Sequence, residues 1–162
     1  MPRLGFSIVP LDPFYVPARR QLEALETQCK ADFLPLDTSI SVFDTPQLNL
    51  SPENEVYMTC PKCGSVDKDY KWLELLPPCY RFRETSSQNR QFFDCLMNCC
   101  NQASNILDFD FRYPTKELEL GAGFASAQVD VFEVKTRSVN SGDLSKFAEL
   151  MGCPIRLILI TS

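Results

Sequence analysis

The sequence predicts an α+β fold: a mixed, largely antiparallel sheet with flanking helices and a zinc-ribbon-like insertion. Three observations carry this. Apolar residues recur at helical spacing around Leu22 to Phe33 and Leu144 to Met151. The last third instead alternates apolar and polar residues, the period of a half-buried strand. Between them stands Cys60-Pro61-Lys62-Cys63-Gly64, a turn that aims two thiolates at one point.

Taken in order, Gly5 to Val9 reads as a strand, ended by the Pro10-Leu11-Asp12-Pro13 turn. Pro17 suits the first position of a helix running from about 17 to 32. Leu22, Leu25, Cys29 and Phe33 form its apolar stripe, with Cys29 as a core thiol. Ile40 to Phe43 and Leu48 to Leu50 read as two short strand pieces, and Tyr57 leads into the knuckle. Tyr70 to Leu76 predicts a short helix stopped by Pro77-Pro78, and a second helix runs from Ser86 or Ser87 to Leu96. Leu107, Phe109, Phe111 and Tyr113 alternate with Asp108, Asp110 and Arg112 as a strand. A hairpin region over Pro114 to Gly123 precedes a long strand, Phe124 to Val134. Ser141 is placed to cap the last helix, Gly152 to end it in the left-handed region, and Pro154 to Ile160 is a closing apolar strand. The 162 residues read as one α+β domain, 1–162, in which 57–105 is a zinc-organised insertion.

The composition is that of an ordinary globular chain, 44% hydrophobic and 23% charged, with a net charge of −5. An acidic balance argues against general nucleic-acid or membrane-surface binding and suits a basic protein partner. The N-terminus lacks a signal-peptide core, and no apolar run reaches the ~20 residues of a membrane span. The expected location is therefore cytoplasmic, where the eight cysteines stay reduced and serve as ligands or buried thiols. In an exported chain the same cysteines would pair.

Zinc takes four ligands, so Cys60 and Cys63 are half a site. The chain has no histidine, which leaves cysteines or a carboxylate for the rest. Cys99-Cys100 is the best second half, provided the backbone bends there, and Asn101 tolerates the left-handed conformation that would bend it. Cys95 with Cys99, one helical turn apart, is an alternative, and Cys79 a third candidate. A reactive-cysteine enzyme is disfavoured, because no histidine exists to act as its base.

Tyr15-Val16-Pro17, Cys60-Pro61-Lys62-Cys63-Gly64, Trp72, Cys99-Cys100, Gly123-Phe124-Ala125 and Leu150-Met151-Gly152 before Ile155-Arg156-Leu157 follow one another along the chain. In this order they resemble a family of small, largely uncharacterised bacterial proteins. That family carries a C-P-x-C-G knuckle, a P-C-C-G second knuckle, a G-F-A-R-F strand and a terminal L-G-x-x-L-R strand. The resemblance implies Cys60, Cys63, Cys99 and Cys100 as the ligands of a structural Zn²⁺, and it brings no established activity. Asn98, Asn101 and Ser126 stand where the family has Pro, Gly and Arg, and the ending Ile160-Thr161-Ser162 lacks its terminal aromatic.

Glu133-Val134-Lys135 supplies an E-x-K pattern, with Asp108 and Asp110 on the preceding strand. In restriction-type nucleases an Asp and this Glu hold Mg²⁺ while the Lys stabilises developing charge. The alternative is a surface charge pair beside a solvated Asp edge.

These observations lead to a zinc-stabilised, non-enzymatic protein-binding module, a toxin-neutralising immunity protein in its sharpest form. Such proteins are similar to this chain only in general character, being small and acidic. A Mg²⁺-dependent nuclease-like enzyme using Asp108 or Asp110, Glu133 and Lys135 is the alternative. A nucleic-acid-binding zinc ribbon is a third, supported by Lys62, Lys68, Lys71, Arg81, Arg83 and Arg90.

Overall fold

Strand β1 (Leu4–Pro10) lies at the centre of the molecule, hydrogen-bonded antiparallel to a later strand on either side. The computed structural model describes residues 4–50, 56–69, 71–75, 90–112, 119–120 and 122–161. Chain order continues with helix α1 (Arg19–Phe33), β2 (Asp37–Leu50), β3 (Tyr57–Thr59), β4 (Val66–Asp67), β5 (Asp94–Leu96) and β6 (Ala103–Asn105). It ends with β7 (Asp110–Arg112), β8 (Glu119–Leu120), β9 (Ala122–Phe132), helix α2 (Ser141–Met151) and β10 (Ile155–Thr161). An eight-stranded sheet has the order β2-β9-β1-β10-β8-β7-β3-β4, antiparallel except between β10 and β8, and β5-β6 is a separate hairpin. With the two helices of its described residues on an antiparallel-dominated sheet, the chain is an α+β protein.

Both helices share one core with the sheet. Leu22, Leu25, Cys29 and Phe33 of α1 and Phe147 and Met151 of α2 pack on Phe6, Ile8, Val129, Val131 and Leu157. Phe6, Phe33 and Phe147 tie β1, α1 and α2 together, with ring centroids 5.4 to 6.3 Å apart. Burial pushes the Cys29 thiol up to about 12, as suits a core cysteine.

The helix ends differ from expectation in instructive ways. Helix α1 begins at Arg19 rather than at Pro17, because Gln21 Oε1 accepts the Ala18 N–H at 2.9 Å and closes the first turn there. It stops at Leu34, a non-glycine residue at φ 43°. Helix α2 is capped by Asn140 rather than Ser141: Asn140 Oδ1 accepts from Asp143 N, and Asp143 Oδ2 accepts from Asn140 N. Gly152, at φ 74°, ends it as expected. Asp143 also takes both arms of Arg137, at 2.5 and 2.8 Å, and the Arg137 hydrogen bonds hold its carboxyl below the usual range.

Four other expectations change. The two pieces around 40–43 and 48–50 are one strand, β2, whose irregularity lies between Val42 and Gln47. Pro46 falls inside that bulge, where no ladder N–H is required. The expected helix over 70–76 is a 3₁₀ turn, Lys71–Leu75, with Trp72 buried, and 70 and 76 lie outside the described residues. The expected helix ending at Leu96 is a 3₁₀ turn, Arg90–Phe93, followed by β5, because Asp94 to Leu96 pair with Ala103 to Asn105; residues 86–89 lie outside the described part. The alternating stretch from 107 keeps its burial pattern, Leu107, Phe109 and Phe111 inside, but among its described residues only Asp110–Arg112 is strand; Tyr113 and, of the expected hairpin region, 114–118 and 121 lie outside the described residues. Asn105 Oδ1 accepts from Leu107 N and diverts Ile106–Asp108 into a 3₁₀ turn.

A second apolar core belongs to this half of the molecule. Met58, Trp72, Phe93, Met97, Ile106, Leu107, Phe109, Phe111 and Phe124 form it, and Cys60 is one of its members.

Candidate metal centre

The first knuckle is the loop of the β3–β4 hairpin. Cys60 N donates to Ser65 O at 2.9 Å, and Gly64 N donates to Cys60 O at 3.0 Å. Gly64 sits at φ 74°, a conformation with no Cβ penalty for glycine. The β5–β6 hairpin closes by the same two bonds: Met97 N to Gln102 O, and Asn101 N to Met97 O, both 2.9 Å. Asn101 takes φ 58° where the first loop has Gly64. The two turns therefore correspond in hydrogen bonding and in their left-handed residue, Cys60-Pro61-Lys62-Cys63-Gly64-Ser65 to Met97-Asn98-Cys99-Cys100-Asn101-Gln102.

That correspondence explains how adjacent cysteines reach one point. Cys100 is the counterpart of Cys63, and each sulfur has a hydrogen bond from the backbone N–H two residues on, Gln102 and Ser65 respectively. Cys99 occupies the place of Lys62. The counterpart of Cys60 is Met97, which is turned into the apolar core at 2% exposure. Sequence reasoning missed this role of Met97. Aligning the two loops on their left-handed residue, Gly64 with Asn101, would have exposed it.

The four sulfurs of Cys60, Cys63, Cys99 and Cys100 lie within 4.8 Å of one another. Cys63 and Cys99 are 3.5 Å apart and Cys60 and Cys100 3.9 Å. A tetrahedral zinc–thiolate centre with bonds of about 2.3 Å has sulfurs about 3.8 Å apart. The cluster is thus spaced to hold a metal ion. Lys62 N points at Cys60 Sγ (3.4 Å), and Ser65 Oγ lies 3.1 Å from Cys63 Sγ.

Four thiols this close cannot all ionise unaided. The Ser65 hydroxyl and N–H, with help from Cys99, bring Cys63 down to about 6. Ser65 draws Cys99 down too, but desolvation and its thiol neighbours push it up to about 11. Gln102 draws on Cys100, which desolvation and Cys60 nevertheless leave raised. The Cys63 thiolate forms readily while Cys99 and Cys100 resist, and a bound dication would oppose that resistance.

Cys95 stands outside the cluster, and burial pushes its thiol up to about 11. Cys79 lies outside the described residues. Beside the sulfurs is a cavity of about 460 Å³, walled by Met58, Trp72, Leu75, Met97, Lys71 and Cys99 among others.

The E-x-K residues are not brought together with the aspartates. Strand β9 ends at Phe132; Glu133 turns away at φ 53°, its N–H donating to Leu4 O, and Lys135 N donates to Phe33 O. The aspartates flank Phe109 and Phe111, and Phe111 meets Phe124 near the opposite end of β9, at 6.1 Å between centroids. Among the described residues, Asp108, Asp110 and Glu133 form no group of carboxylates close enough to hold a metal ion together. Asp108 pairs with Arg90, and both aspartates raise the charged form of half-buried Arg156 against its desolvation. The sheet instead buries a carboxylate that sequence reading passed over: Asp130, 8% exposed, accepts from Ser7 Oγ at 2.6 Å and from Gln128 Nε2 at 2.9 and 3.1 Å.

Among the described residues, no helix is long and apolar enough to cross a membrane. Comparison with protein-family models, with curated proteins and with solved structures found no match.

Proposed function

We propose that the chain is a zinc-stabilised, non-enzymatic protein-binding module in which the two matched knuckles form a zinc ribbon. One observation carries this reading: four cysteine sulfurs at tetrahedral spacing on two turns of the same geometry. Four protein thiolates fill the coordination of Zn²⁺ and leave no position for water or substrate, which is the arrangement of a structural site. The net charge of −5 favours encounter with a basic protein. A toxin-neutralising immunity protein of a bacterial cytoplasm is the sharpest form of this reading, in keeping with the resemblance to small bacterial proteins that carry C-P-x-C-G and C-C knuckles.

The competing readings receive less support. A Mg²⁺ nuclease needs Glu133 and an aspartate at one ion, and among the described residues Asp108, Asp110 and Glu133 form no such group. A nucleic-acid-binding ribbon needs free cations, yet Lys68 covers the Tyr57 ring, Arg90 pairs with Asp108, and Asp67 and Asp69 lie between the lysines.

Elemental analysis of protein purified without chelator tests the reading, beside the Cys60→Ser variant. The expected result is one zinc per wild-type chain and none in the variant, followed by salt-sensitive capture of a basic protein on immobilised wild type. A metal-free wild type overturns the metal assignment. Mg²⁺-dependent DNA cleavage abolished by Glu133→Ala overturns the non-enzymatic one.

A further inference from the structure

The four sulfurs fall into two unlike pairs. Cys60 is 2% exposed and sits in the core around Trp72, and Cys100 is half-buried. Cys63 and Cys99 are both exposed, and theirs is the shorter contact, 3.5 Å against 3.9 Å. Each contact crosses from one knuckle to the other. Cys99 also walls the cavity beside Trp72, so a small solute can approach it.

We propose that Cys63 and Cys99 are a site of reversible oxidation, where a peroxide joins the two outer ligands as a disulfide and expels the metal. This rests on the four-thiolate metal reading. The Cys63 thiolate attacks one peroxide oxygen: an S–O bond forms, the O–O bond breaks, and hydroxide leaves. The Cys99 thiolate then attacks the Cys63 sulfur: the S–S bond forms, the S–O bond breaks, and a second hydroxide leaves. Two electrons pass from the sulfurs to the peroxide, and two protons from solvent turn both hydroxides into water.

The sulfurs need approach by only about 1.5 Å to reach a disulfide length of ~2.05 Å. Cys60 and Cys100 alone would then be left to hold a metal, half of a tetrahedron and too few to retain it. The new bond ties the knuckles together where the metal did, so the oxidised chain retains a cross-link, and a dithiol reductant with added zinc restores the site.

The test treats zinc-loaded wild-type protein with hydrogen peroxide and follows released zinc with a chromogenic chelator, free thiols by titration, and linkages by peptide mass spectrometry. The expected result is release of all the zinc with loss of two of the eight thiols, a Cys63–Cys99 cross-linked peptide, and rebinding after reduction. Zinc present at the start but released with Cys60–Cys63 or Cys99–Cys100 linkages, or with sulfinic acids and no linkage, overturns the proposal while leaving the metal site intact. Zinc retained while other thiols are consumed overturns it equally. A wild type that binds no zinc when loaded defeats the metal reading and this inference with it. Cys95→Ser is the control variant: it lies outside the cluster and is expected to leave the release unchanged.

Discussion

The two halves of this molecule bury comparable apolar clusters and build them from unlike parts. The helix-covered half uses helices of 15 and 11 residues against strands of 7 and 11 residues. Among its described residues, the knuckle half uses strands of two or three residues and 3₁₀ turns of three to five. Hairpins this short are marginal in water by themselves. Long elements stabilise the first half; in the second, four sulfurs on two turns are spaced to hold a metal ion.

Metal removal is expected to break the comparison most forcefully. Structural zinc supplies an apparent ~10–16 kcal/mol in small zinc domains. A strong chelator is expected to shift the emission of Trp72, the only tryptophan, while far-ultraviolet circular dichroism keeps the helical signal. If both signals vanish together, the two halves are a single cooperative unit. Next comes Cys99→Ser, expected to weaken zinc beyond the ~10–100-fold typical of outer-shell changes. Adding Met97→Cys places a thiol at the counterpart of Cys60 and is expected to recover part of that affinity; competition with a chromogenic chelator measures both. No recovery means the loops match in backbone only.

Phe147→Ala attacks the other half, where removing a fully buried ring costs about 3–5 kcal/mol. Thermal denaturation is expected to show a large loss with zinc content unchanged, and zinc loss without heating would contradict the division. Asp143→Asn is expected to cost about 1.5–3 kcal/mol at neutral pH, since two charged hydrogen bonds from Arg137 weaken. Its carboxyl is lowered on folding, so the stabilisation is full above the unfolded aspartate value and disappears as pH falls through the folded one. The difference between wild type and variant in urea titrations is therefore expected to shrink in acid. Smallest is Leu34→Gly, which relieves a left-handed leucine that is 56% exposed. A gain below about 1 kcal/mol is expected, because glycine also loosens the unfolded chain.

What could be read in advance follows the same division. Helix α1 carries a periodic apolar stripe and buries it, whereas β1 and β9 are buried almost throughout, Ser7, Ser126 and Asp130 included. The Cys60–Cys63 turn was legible because its proline and glycine announce it. Cys99-Cys100 was legible as a thiol pair, but its bend depends on Asn101, whose left-handed conformation a sequence permits without demanding. Around it, Arg90 to Asp108 read as helix and strand because Phe93, Met97, Leu107 and Phe109 are spaced for either. Asn105, which accepts from Leu107 N and donates to Arg90 O and Asp94 Oδ1, settles the matter through contacts up to fifteen residues away. The charge pattern at Glu133 misled for a simple reason: alternation continues past the point where the backbone leaves the sheet.

Strand β10 is interior only because β8, β7, β3 and β4 continue the sheet beyond it. Were the sulfur-tied half to open, β10 would become an outer strand, with buried Ile158 and Ile160 beside unpaired backbone groups. Such an edge is a template for joining another chain. The cysteine cluster therefore also bears on solubility, as a seal against chain-to-chain pairing set four strands away from the surface it protects.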